Sequence, residues 1–174
     1  MQRHHQVGAL AAIARAHGLE LSHVKLHGAL ANMASEDEAI AKPFIEAVAA
    51  FDPDLAVIAM AATALERTAA AHPHPLVREI YADRAYNDDG TLVARGTPGA
   101  VLHDADEAAF RVLRMLDEGA LTSINGAKVP VQPETVCVHG DGPQALHMAE
   151  TLRTRLERAG VRVERFRART PEPA

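Results

Sequence analysis

The sequence predicts an α/β fold built on parallel strands, and three observations carry that prediction. Short strand-like runs alternate with helical periodicities along the chain. One run, Leu55 to Met60, is apolar without a break, the mark of a strand covered on both faces. At most five strands can be counted in 174 residues, whereas a closed (β/α) barrel takes about 250 residues. The chain also opens on a helix with no strand ahead of it. Either the sheet is open or the chain is the rear portion of a barrel, in one domain over residues 1–174.

Taken in order, Val7, Leu10, Ala11 and Ala14 recur at helical spacing, and Gly18 stands where that helix should stop. Leu21 to His27 reads as a short strand. Ser35 with Glu38 forms a capping box for a helix reaching about Phe51, which Pro43 should kink or split. After the Leu55–Met60 strand, Thr63 to Ala71 is helical until Pro73 and Pro75 stop it, and Leu76 to Tyr81 is a third strand. A long polar connection runs from Asp83 to about Asp104, and loops of that length inside compact domains are usually functional.

Asp104 to Glu118 is helical, with Val112, Met115 and Leu116 on its apolar side. Asn125-Gly126 between Leu121–Ile124 and Lys128–Val131 signals a hairpin. Thr135 to His139 is the fourth strand. The final helix carries Ala145, Ala149, Leu152, Leu156 and Ala159 as its core-facing stripe. Val161 to Val163 should start a fifth strand, and residues 165–174 read as a frayed tail.

Composition narrows the function. Lys+Arg 18 against Asp+Glu 23 gives a net charge of −5, which offers no basic footprint for nucleic acid or an anionic membrane. Aromatic residues are 3% and Trp is absent, removing the stacking platforms of single-strand binders. No apolar run approaches the ~20 residues of a membrane span, and the first residues lack the apolar core of a signal peptide. The single cysteine, Cys137, fits a reducing cytoplasm.

Parallel α/β folds gather reactive residues beyond the carboxyl ends of their strands. Three such ends are rich in titratable groups here. Lys25 and His27 offer a cation and an imidazole, or else an ion pair and a packed turn. Glu79, Asp83 and Arg84 flank the third strand's exit, where paired carboxylates near an arginine can divide acid and base roles or simply form an ion pair. His139-Gly140-Asp141 sits at a strand–helix turn, where Asp141 is an acid–base candidate or an ordinary cap. Asn87-Asp88-Asp89-Gly90 reads as a turn rather than a calcium loop, and His72-Pro73-His74 as a surface turn. Neither a P-loop nor a dinucleotide fingerprint is present, and no zinc motif assigns a metal ligand.

Four ordered blocks resemble the LamB/YcsF family: Val24-Lys25-Leu26-His27-Gly28-Ala29-Leu30 with Asn32-Met33; Ala82-Asp83-Arg84-Ala85-Tyr86 with Asp89 to Val93 and Arg95; Pro98 to Val101 with His103-Asp104; and Val136 to Asp141. The likeness spans about Gln6 to Val163. Leu26 and Ala31 stand where the family usually has Pro and Tyr, and the family's N-terminal Asp- and His-rich blocks have no counterpart. The resemblance therefore implies the C-terminal portion of a (β/α)7-type barrel, glycoside hydrolase/deacetylase-like, with the N-terminal strands missing.

It also implies a component of an ATP-dependent 5-oxoprolinase, which opens 5-oxo-L-proline to L-glutamate with partner subunits B and C. ATP would be handled by the partners, in keeping with the missing P-loop. In that setting Lys25 and Arg84 hold carboxylate or phosphoryl oxygens, and Asp83, His139 and Asp141 exchange protons. His27 and Glu79 join the substrate-binding set, with Arg95 and Tyr86 closing the long loop over the substrate. Two other readings stand beside this one. The first is a metal-dependent carbohydrate or amide hydrolase or deacetylase, with zinc on His27 and His139. The second is a truncated, non-catalytic remnant or an interaction protein, whose open strand edges pair with another copy or with a separately encoded N-terminal fragment.

Overall fold

A computed structural model of the chain describes residues 2–140 and 142–165. The parallel strands β1 (His23–Lys25), β2 (Ala56–Met60), β3 (Leu76–Tyr81) and β6 (Thr135–Cys137) follow the order β1-β2-β3-β6, and β4 (Ala120–Thr122) and β5 (Lys128–Pro130) form a separate two-stranded ribbon. The described residues form two compact units, residues 2–59 with 64–77, and residues 60–63 with 78–165.

The first unit holds α1 (Gln2–Ala16), β1 (His23–Lys25), α2 (Gly28–Glu36), α3 (Glu38–Phe51), nearly all of β2 (Ala56–Met60) and α4 (Ala64–Ala70). Strands β1 and β2 pair in parallel, His23 with Ala56 and Lys25 with Ile58. Every residue of β2 is buried, as its unbroken apolar run demands. Phe44, Ile45, Val48, Leu55, Val57 and Leu65 make the core. Gly18 ends α1 in the left-handed region, with φ of +70°.

The expected capping box is replaced by a different break. Residues 28–36 are themselves helical, and Asp37 caps α3 by accepting the Ala39 N–H at 2.8 Å. Ser35 is buried inside α2, where its hydroxyl donates to the Ala31 carbonyl at 2.8 Å. Serine satisfies itself this way inside a helix, and aspartate caps as well as serine does. Pro43 does not split α3, which runs on to Phe51. His74 is buried rather than at the surface.

The second unit holds most of β3 (Leu76–Tyr81), α5 (Ala105–Glu118), β4 (Ala120–Thr122), β5 (Lys128–Pro130), β6 (Thr135–Cys137) and α6 (Ala145–Arg158). Strands β3 and β6 pair in parallel, Glu79 with Thr135 and Tyr81 with Cys137. Asp104 caps α5 by accepting the Glu107 N–H, and Gly119 ends it with φ of +60°. Helix α6 buries Met148, Leu152 and Leu156, while Ala149 and Ala159 of the expected stripe are exposed. The line of larger side chains removes more apolar area from water, at about 25 cal/mol per Å². The hairpin closes as a three-residue loop: Ser123 N–H meets the Ala127 carbonyl, and Gly126 takes φ of +87°. Val161 to Val163 is irregular, not a fifth strand.

The long connection is an ordered layer rather than an open loop. Backbone bridges join Arg84 to Val101 and Tyr86 to Leu92, and Ala85, Val93 and Ala100 form a small core of their own. Among the described residues no helix is long and apolar enough to cross a membrane.

Candidate active site

The register of β3 on β6 builds the site. Tyr81 is paired with Cys137, so Asp83 and His139 each lie two residues past a paired position and continue the same alternation of faces. The chain thereby brings them together at neighbouring carboxyl ends. His139 Nδ1 lies 2.9 Å and 2.8 Å from the two carboxylate oxygens of Asp83. Their side chains are 18% and 13% exposed, shielded yet reachable. An ionised carboxylate only accepts, so Nδ1 carries the proton and Nε2 is left as the basic nitrogen. Such a pair can take a proton from water or an amine and return it.

Tyr81 and Tyr86 fix this geometry from below. The Tyr81 ring packs 5.5 Å from the His139 ring, centroid to centroid. The Tyr86 hydroxyl accepts the Tyr81 N–H at 2.6 Å and donates to the Tyr81 carbonyl at 3.4 Å. Tyr86 is fully buried, and burial pushes its phenol well above the ordinary range. It is an internal strut, so the expected contact with substrate is corrected.

Arg84 is likewise turned inward. Its guanidinium donates to the Val93 carbonyl at 2.7 Å and the Ala100 carbonyl at 3.3 Å, which ties both limbs of the long connection together. Burial, followed by the nearby charge of Arg95, lowers its pKa. Arg84 is buried, and its Nε and Nη2 donate to backbone carbonyls of the long connection rather than facing the cavity beside Asp83. Glu79 is buried within β3.

A cavity of about 390 Å³ opens beside the Asp83–His139 pair and is also lined by Arg95, His103, Gln144 and Met148. Arg95 therefore reaches the same cavity as the pair. Lys25 and His27 belong to the first unit: Lys25 is the half-buried last residue of β1, and His27 is the exposed residue before α2. Asp141 and the tail beyond Arg165 lie outside the described residues. Among the described residues, no three His, Cys, Asp or Glu side chains gather around one point as metal ligands.

Two contributors were given no role by sequence reasoning. His103, quoted in one of the family-like blocks, lines the cavity just ahead of the α5 cap. Arg111 donates to the Arg84 carbonyl and lies 5.7 Å from the Tyr86 ring centroid. A signal for Arg111 was present: it is a charged residue beside Ala108, Val112 and Met115 on the apolar face of α5.

The model of the LamB/YcsF family matches residues 2–171. The chain belongs to the LamB/YcsF family. Curated relatives in this family include the second A-type 5-oxoprolinase subunit of Bradyrhizobium diazoefficiens, 47% identical over 163 residues, covering 94% of this chain and 64% of that one. The A-type 5-oxoprolinase subunit of Nitrobacter winogradskyi is 48% identical over 162 residues, covering 93% and 64%. Among solved structures, the lactam utilization protein of Thermus thermophilus superposes with a TM-score of 0.82 at 41% identity, covering 92% of this chain and 64% of that one. This LamB/YcsF chain thus spans 64% of the length of these relatives. Its parallel strand–helix alternation is the corresponding part of the family's α/β barrel.

Proposed function

We propose that the chain is the A-type component of a 5-oxoprolinase, which opens the lactam of 5-oxo-L-proline to L-glutamate with ATP and partner subunits B and C. The observation that carries this reading is the Asp83–His139 pair beside a small-molecule cavity. A five-membered lactam is a poor electrophile, so its amide oxygen needs activation before water adds. In this reading ATP supplies that activation on the partner subunits. His139 Nε2 draws a proton from the attacking water while Asp83 holds the ring and steadies the imidazolium. The same nitrogen then returns the proton to the departing ring nitrogen. On the family resemblance alone, the reading also proposes Lys25 as a charge partner for developing anionic oxygens and Asp141 as a second acid–base group.

The test combines the purified chain with subunits B and C, ATP and 5-oxoproline. Glutamate release that needs every component, and that falls steeply in His139→Gln, is the expected result. Release that is unchanged by His139→Gln overturns the assignment.

A further inference from the structure

Resting on the reading that this cavity receives a lactam, we propose that Arg95 and His103 form its carboxylate-binding end and select ring-carboxylated lactams over neutral ones. The cavity wall is divided in charge. Both oxygens of Asp83 are engaged by His139, so the one carboxylate that lines the cavity among the described residues is already paired. The neighbouring guanidinium groups are turned to the backbone, Arg84 Nε and Nη2 donating to the Ala100 and Val93 carbonyls and Arg111 Nη2 to the Arg84 carbonyl, while Arg111 Nε is buried without a partner among the described residues.

Arg95 differs from both. It is exposed on a turn closed by the Thr97 N–H to the Ala94 carbonyl at 2.9 Å, and it lines the cavity without a hydrogen bond or ion pair among the described residues. A guanidinium presents paired N–H groups in a fork that matches a carboxylate. Its charge already reaches Arg84 unfavourably, and an anion seated between Arg95 and the wall would offset that repulsion.

His103 adds an imidazole donor on the same wall, held in place by its neighbours. The Leu102 N–H donates to the Asp83 carbonyl at 2.8 Å, Val101 bridges Arg84, and Asp104 caps α5. The backbone that carries His103 is therefore pinned to the residue that carries the proton-transfer pair. A ligand held at Arg95 and His103 by its carboxylate would present its amide to His139 in a fixed sense. At about 390 Å³ the cavity falls in the range of small-molecule sites.

The test measures 5-oxoproline against 2-pyrrolidone, which keeps the lactam and lacks the carboxylate, in the full chain with subunits B and C and ATP. Arg95→Gln should raise KM for 5-oxoproline by about 10- to 100-fold with kcat little changed, the loss of one charged hydrogen-bond pair. Arg95→Lys should recover part of it, His103→Gln should act in the same direction, and turnover of 2-pyrrolidone should not move. Equal losses on both lactams overturn the proposal. Titration of the full chain with each lactam, read by NMR at the Arg95 guanidinium and the imidazoles, does not depend on turnover. Shifts at Arg95 and His103 with 5-oxoproline alone support the carboxylate end even where no glutamate forms, an outcome that removes only the proposed function. A shift at His139 with Arg95 and His103 silent removes the carboxylate end and leaves the proposed function standing.

Discussion

Asp83 and His139 are 56 residues apart in the chain, yet Nδ1 of the imidazole sits within 2.9 Å of both oxygens of the carboxylate. Proton transfer by a positioned side chain contributes about 10²- to 10⁴-fold to a rate. Asp83→Asn and His139→Gln should each lower kcat/KM for glutamate release by that order, with thermal unfolding showing both variants folded. Retention of activity within about tenfold of the parent in Asp83→Asn would show that the carboxylate is not part of the proton path.

Tyr86 should matter to stability and, through Tyr81, to the site. Tyr86→Phe leaves the Tyr81 N–H without its 2.6 Å acceptor, which costs about 1–3 kcal/mol for a buried donor. The pH dependence follows from the raised phenol. The folded pKa lies above the ordinary value of 10.0, so the unfolded chain releases its proton first as pH climbs. The contribution is complete below that ordinary value and is lost as pH rises from it toward the folded pKa. Denaturant unfolding at rising alkaline pH should show this slope in the parent and a flatter one in Tyr86→Phe.

Gly90 is required by both its backbone and its surroundings. Its φ is +85°, and a Cβ there would lie 2.9 Å from Ala62 Cβ and 3.0 Å from the Ala62 carbonyl oxygen. Ala62 itself sits at φ of +63° and has no freedom to withdraw cheaply. Left-handed backbone costs a non-glycine residue about 1–2 kcal/mol before the clash is counted. Gly90→Ala should therefore lower Tm by roughly 4 °C or more, measured by calorimetry.

His74 should make the first unit sensitive to mild acid. Burial lowers its pKa from 6.5, helped by the charge of His72 and outweighing the Leu55 backbone and the charges of Asp52 and Asp54, which raise it; both ring nitrogens are buried without a hydrogen-bond partner among the described residues. The unfolded chain takes up the proton before the folded one does, so stability is present above the ordinary value and falls as pH drops below it. Unfolding measured from about pH 7 down to pH 5 should show a smaller loss in His74→Leu than in the parent. Parallel curves for the two proteins would exclude His74 as the source.

Much of the local structure could be read from residue order because its causes are local. Strands β2 and β3 show themselves by apolar runs, and α5 by its stripe together with the Asp104 cap. The choice between Ser35 and Asp37 as a cap was not legible. Both side chains can bond the backbone, and only the observed helix α2 decides which one stands at a helix start. The expected α6 stripe shares Leu152 and Leu156 with the buried line but takes Ala149 where Met148 is buried, since alanine and larger apolar residues count alike in a pattern but not in buried area.

For the site, residue order was enough to name Asp83 and His139 as chemistry-bearing positions beyond strand ends, and the family resemblance added Arg95. Residue order set His139 beside the Asp141 carboxylate as its acid–base neighbour, and the family resemblance sent Arg84 and Tyr86 toward a substrate. Tertiary structure alone turned those two inward and set Asp83 against His139. The reason is physical: the alignment of β3 with β6 and the burial of a guanidinium or a phenol depend on residues dozens of positions away. Local pattern selects helices and strands, whereas long-range packing selects which polar group meets a ligand and which meets a carbonyl.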